Sequence, residues 1–184
     1  MEENKPKTLS IRRGLDFIWE ILKIVVISLA IIIPIRYFLI QPFFVKGASM
    51  EPTYLDGDYL IVDEISYRFE APQRGEVIIF RYPLDPSQFF IKRIIGLPGE
   101  HVSVADDKVF INDKPLDETK YLGGVNTAGN IEVTLKDNEY FVLGDNRNAS
   151  SDSRKWGEVD KKFIIGRAWL RAWPFNRLGT LLNK

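Results

Sequence analysis

One long apolar stretch lies near the start of the chain, and many short ones follow it. From Ile21 to Ile40 apolar residues dominate, interrupted by Lys23, Pro34 and Arg36, with no charge between Ile24 and Ile35. That uncharged centre covers only about 18 Å at about 1.5 Å per helical residue, short of a hydrocarbon core of about 30 Å. Lys23 and Arg36 can snorkel toward the headgroups and let Ile21, Leu22 and Tyr37 to Ile40 lengthen the span. Pro34 is tolerable near a helix end. The pattern therefore predicts a transmembrane helix over 21–40. A cleaved signal peptide fits less well, because the nearest cleavage site, Val45-Lys46-Gly47, would cut just before a serine of chemical interest. A buried core helix is the third reading. Lys5, Lys7, Arg12 and Arg13 precede the stretch, whereas only Lys46 follows it before residue 60. This bias predicts a cytoplasmic tail over 1–20 and an extracytoplasmic domain over 41–184, with the chain in the plasma membrane and the lipid bilayer as a partner.

Beyond residue 41 the pattern changes to short β-rich runs separated by Gly, Pro, Asp and Asn. Tyr59 to Ile65, Glu76 to Tyr82, Phe89 to Ile95, His101 to Val104, Lys108 to Ile111, Ile131 to Leu135, Glu139 to Leu143 and Phe163 to Arg171 read as strands. Asp56-Gly57, Arg74-Gly75, Leu97-Pro98-Gly99 and Asn112-Asp113 supply turns between them. Strands this short and numerous predict a mostly β domain, a coiled or barrel-like sheet. Gly123 to Asn130 is polar and glycine-rich and reads as a mobile loop, not a site.

Composition narrows the chemistry. The 184 residues carry 25 basic and 25 acidic side chains, so no net field gathers nucleic acid. With no cysteine and one histidine, the chain has no disulfide framework and no ligand cluster at zinc spacing. A Ser/His or Cys/His nucleophile system has at most His101, which the turn from Gly96 to Glu100 should carry away from Lys92. Any acyl transfer is pushed toward a serine activated by a lysine.

Ser49 lies in Gly47-Ala48-Ser49-Met50-Glu51-Pro52. Lys92 lies in a strand whose alternation puts it on one face with Phe90 and Ile94, and puts Arg93 on the other with Ile91 and Ile95. An ordinary lysine, with a pKa near 10.4, is neutral in only about one molecule in a thousand at pH 7.4. Burial disfavours the ammonium and makes the free amine available as a base. On the residues alone, Ser49 can equally serve an ST-turn, and Lys92 can be an edge-strand lysine paired with a carboxylate.

Five blocks in order carry a resemblance: Gly47 to Thr53, Gly57 to Val62, Arg74 to Phe80, Phe90 to Glu100 and Gly144 to Arg154. In them the chain resembles the bacterial type I signal peptidases, in their short single-anchor form, from the anchor to about Phe175. The resemblance implies an all-β catalytic domain with a Ser/Lys dyad, Ser49 as nucleophile and Lys92 as general base, with no metal or organic cofactor. It implies that Ser150 orients the lysine amine and that Asp145, Arg147 and Asp152 hold the loop, with Arg93 in support. The implied substrates are signal peptides of secretory preproteins, cut after small residues. Phe43, Val45, Gly47, Phe90 and Ile91 are then expected to line the substrate pockets, with Met50 beside them. Gly47 departs from relatives that carry an oxyanion-donating hydroxyl there, and Asn148-Ala149 departs from a common Asp-Asn. Two rivals stay open: a self-cleaving regulator, which would need a soluble DNA-binding region, and a membrane-tethered β-domain that binds extended peptides without cutting them.

Overall fold

The computed structural model describes the backbone of residues 8–38 and 40–180 and the side chains of 14–33 and 42–180. It divides between residues 39 and 40 into two units. The first is a single helix, α1 (Thr8–Phe38), 31 residues long. It starts well before Ile21, so much of the expected N-terminal tail is helical. It also ends at Phe38, and Ile40 belongs to a strand instead of the anchor. Among the described residues no helix is long and apolar enough to cross a membrane. In α1 the stretch from Asp16 to Lys23 interleaves Asp16, Glu20 and Lys23 with its apolar residues. Lys5, Lys7 and Leu39, and the side chains of Arg12, Arg13, Pro34 and Arg36, lie outside the described residues.

The second unit is mostly β, as its short alternating runs predict. Its strands are β1 (Ile40–Phe44), β2 (Tyr59–Asp63), β3 (Val77–Tyr82), β4 (Asp85–Gly96), β5 (His101–Ala105), β6 (Lys108–Ile111), β7 (Lys114–Pro115), β8 (Ile131–Thr134), β9 (Glu139–Leu143), β10 (Val159–Asp160), β11 (Ile164–Trp173) and β12 (Gly179–Thr180). One sheet has the order β1-β2-β11-β3-β4-β9-β10, with β12 joined to β11, and a smaller one has the order β7-β6-β5-β8. β1 was not among the predicted strands, because it contains Pro42. It tolerates the missing N–H because it is an edge strand, paired only with β2. Two single-turn helices, α2 (Thr119–Leu122) and α3 (Ser153–Trp156), are too short to show a helical period in sequence.

β4 begins at Asp85, earlier than predicted, and is 12 residues long. It pairs with β3 from Arg93 back to Phe89 and again at Asp85, but its pairing with β9 starts only at Arg93↔Leu143. The segment from Asp85 to Lys92 therefore keeps one edge open. The sheet coils enough to bring this edge toward β1, where the Phe43 and Phe89 rings meet edge to face with centroids 5.3 Å apart.

The alternation predicted for β4 is realised. Ile91 and Ile95 enter core clusters on one side, with Met50, Leu60, Val62 and Ile79 and with Val102, Phe141 and Leu143. Ile94 and Phe90 pack on the other side with Ile78, Phe80 and Val142. The loop from Gly123 to Asn130 departs from expectation, because part of it is pinned. Thr127 is buried and its N–H donates to Asp107 O at 2.8 Å, while Ala128 O accepts from Arg154 at 2.9 Å.

Candidate active site

β1 delivers the chain to a tight turn that carries Ser49. Gly47 adopts φ +84°, a left-handed conformation that disfavours any side chain, and its N–H donates to Asp56 Oδ1 at 2.7 Å. The turn then coils, with Glu51 N–H donating to Ala48 O at 3.2 Å and Tyr54 N–H to Met50 O at 2.9 Å. Met50 and Tyr54 are fully buried and anchor it, leaving Ser49 half-buried.

Lys92 faces Ile78 across the β3–β4 pair, on the side packed by Phe90 and Ile94, and only 4% of it is exposed. Its Nζ lies 2.8 Å from Ser49 Oγ and donates to Ile91 O at 2.8 Å. The Phe90 ring centroid is 5.4 Å away. Burial brings the amine down from its ordinary 10.5 to about 8, although Asp152 and Asp145 pull it back up. This lysine is thus buried, and among the described residues its amine is held by a hydroxyl and a carbonyl, not by a carboxylate.

The loop after β9 closes the site. Asp145 is buried and accepts from Arg93 Nε at 2.8 Å and Nη2 at 2.6 Å, and from Thr53 Oγ1 at 2.6 Å. Arg147 is buried too. It donates to Gly144 O at 3.0 Å, to both carboxylate oxygens of Glu118 at 2.6 and 3.0 Å, and to Thr127 Oγ1. Asp152 caps α3 and accepts from Gly144 N–H at 3.2 Å and from the Arg154 guanidinium at 2.9 Å. Burial works against its charge, but Arg154, Ser150 and the Gly144 N–H outweigh burial and hold the carboxyl below its usual range. Ser150 is 2% exposed. It stands beside Asp152, and its Oγ meets no strict hydrogen-bond partner among the described residues. The lysine amine points to Ser49 and Ile91 O, so the expected contact from Ser150 to Lys92 is not made.

A cleft of about 720 Å³ opens beside Ser49 and Lys92, walled by Phe43, Val45, Gly47, Phe90 and Ile91 together with Gln88 and Phe89. Met50 does not line it. Completely buried, Met50 packs behind Val45 and Ile91 in the core. His101 lies on β5 in the smaller sheet, its Nε2 3.0 Å from Glu132 and its Nδ1 3.6 Å from Asp113.

The structure adds residues that sequence reasoning passed over: Thr53, Glu118, Gly144, Asn146 and Arg154. A Cβ on Gly144 would overlap both Ser150 Oγ and the Ser49 carbonyl oxygen. Gly144 opens the last of the five motif blocks, but the sequence did not show the reason for a glycine there.

Residues 18–173 match a class of hydrolases described as signal peptidase, peptidase S26. A probable signal peptidase I-2 of Synechocystis is 42% identical over 170 residues, covering 89% of this chain and 77% of its own. Signal peptidase IB of Staphylococcus aureus is 31% identical over 176 residues, covering 86% of this chain and 91% of its own. A solved signal peptidase I from Enterococcus faecalis V583 has a TM-score of 0.48 at 34% identity, covering 53% of this chain and 97% of its own. The chain belongs to the signal peptidase, peptidase S26 family, and it is a peptidase.

Proposed function

We propose that this protein is a membrane-anchored serine endopeptidase that removes signal peptides from exported preproteins after small residues, using Ser49 and Lys92 as a dyad. The observation that carries the reading is a lysine only 4% exposed, with its amine 2.8 Å from the Ser49 hydroxyl. The names borne by its relatives favour the substrate class. The anchor is the apolar part of α1, from Ile21 to its end at Phe38, and support for it comes from Ile24, Val25, Val26, Ile27, Leu29, Ile31, Ile32 and Ile33, which are all exposed with no charge among them. A bilayer covers such a surface. The domain over 41–184 lies outside the cytoplasm.

In this reading an extended substrate lies between β1 and the open edge of β4, adding main-chain hydrogen bonds to both. Phe43, Val45, Phe90 and Ile91 leave room only for small side chains. Ser49 attacks the scissile carbonyl as Lys92 takes its proton. The same amine then protonates the departing amide nitrogen, and afterwards activates the water that frees the acyl-enzyme. The Ser49 N–H receives the developing oxyanion. Asp145 and Asp152, through Arg93 and the Gly144 N–H, hold the loop that shuts solvent away from the amine.

Processing of a secretory preprotein in detergent tests this. Ser49→Ala, Lys92→Ala and Lys92→Arg should each be inactive, the last because a guanidinium stays protonated. A protein that only binds peptides would show no processing in the parent. The working base is the neutral amine, so the rate should climb as pH rises through about 8 and level off above it. A rate that is flat from pH 6 to 10 would contradict a lysine base. Gly144→Ala should displace Ser49 and Ser150 and lower kcat by about 10²-fold, the cost of an ångström-scale misplacement. Turnover measured beside a circular-dichroism spectrum checks it.

A further inference from the structure

Asn146 places two hydrogen bonds on the turn of the nucleophile. Its side-chain Nδ2 donates to Ala48 O at 3.1 Å, and its backbone N–H donates to Ser49 O at 3.1 Å. Ala48 O belongs to the same planar trans peptide as the Ser49 N–H, so the two point in opposite directions. Holding the oxygen toward Asn146 aims the N–H away from it. Holding Ser49 O fixes the next peptide plane in the same way. One residue thus sets both peptide units that flank the nucleophile, and a donor on the Ala48 carbonyl also polarises that amide toward stronger donation from its N–H.

Two further observations make this orientation matter in this chain. Gly47 has no hydroxyl to offer an oxyanion, and its own N–H is engaged by Asp56 Oδ1 at 2.7 Å. The other donor to Ala48 O, the Glu51 N–H at 3.2 Å, lies within the turn itself and cannot tie it to the rest of the domain. Asn146 can. Its neighbours Asp145 and Arg147 are buried in ion pairs with Arg93 and Glu118, so it projects from a fixed base.

We propose that Asn146 is a positioning residue that aims the Ser49 N–H at the oxyanion of the tetrahedral intermediate. The proposal rests on Ser49 being the nucleophile. Asn146→Asp keeps the shape but removes the Nδ2 donor and sets an acceptor oxygen against Ala48 O. Asn146→Ala removes the side chain without adding charge. Both should lower kcat for preprotein cleavage by about 10- to 10²-fold, somewhat less than outright removal of an oxyanion donor. KM should stay within about twofold, since the interaction strengthens in the transition state. Affinity for a peptide boronate, whose tetrahedral adduct mimics the intermediate, should fall in parallel with kcat.

Two readouts exclude a merely structural role. The thermal midpoint should hold, because Asn146 is half-buried at the surface of the loop. The pH at which the rate of Asn146→Ala reaches half its maximum should also stay put, because Lys92 is untouched. Ser49→Ala, assayed alongside, separates the two levels of inference. Cleavage by Ser49→Ala would overturn the dyad itself. An inactive Ser49→Ala together with Asn146 variants within threefold of the parent in kcat, or with unchanged boronate affinity, would overturn the positioning role alone.

Discussion

Lys92→Met is expected to remove cleavage, a loss of about 10⁴-fold or more, and yet to unfold at a higher temperature than the parent at pH 7. The two effects share one cause. In the folded protein the amine titrates at about 8, whereas in the unfolded chain it returns to its ordinary 10.5. Between those values the unfolded state binds more protons, so the parent gains stability as pH rises. Below about 8 the lysine is charged in both states, and the fold bears the full cost of taking it out of water. At about 1.4 kcal/mol per pH unit that cost is about 3 kcal/mol, less whatever its two hydrogen bonds return. Methionine is a similar unbranched filler with no charge to desolvate. The advantage of the variant should therefore be greatest below pH 8 and fade as pH approaches 10.5. Thermal unfolding of both proteins at pH 7 and pH 10 measures it. A variant no more stable at pH 7, or equally favoured at pH 10, would mean that the amine is well solvated.

Asp145→Ala should cost about 3–5 kcal/mol of stability, the usual consequence of removing one partner of a buried ion pair. The Arg93 guanidinium meets the Asp145 carboxylate at 2.6 Å with 2% and 0% of the two side chains exposed, so water cannot replace what is lost. Thr53 Oγ1 loses its acceptor at the same time. Denaturant unfolding reads the loss. Replacing both charges with apolar residues, as in Arg93→Met with Asp145→Leu, should be less damaging than the single change, because no charge is stranded. A single variant that loses less than 1 kcal/mol would show the pair to be a spectator.

What could be read in advance divides along a physical line. Alternation along β4 announced which way Lys92 and Arg93 would face, because a strand repeats every two residues whatever surrounds it. Regular turns between apolar runs announced the β class for the same local reason. β1 was hidden by Pro42, since a sequence does not say which strand will be an edge. The wall of the cleft was legible for Phe43, Val45, Phe90 and Ile91, whereas Met50 lies behind it in the core. Direction out of a coiled turn depends on its dihedral angles, and these send Met50 inward behind Val45. Asn146 could not be read at all, because its bond to Ala48 O spans 98 positions. The loop at Gly123 to Asn130 looked free from its glycines, but Thr127 is claimed by Arg147 from 20 positions away.

Because β4 holds Lys92 and the loop-anchoring Arg93 on consecutive residues, a slip of one position in its pairing with β3 would turn both inside out. The guanidinium would enter the cleft and the amine would be left facing a carboxylate in the core, so neither task survives in part. Recovered cleavage during refolding is therefore an all-or-none report of correct strand alignment, and it should lag behind signals that see only compaction.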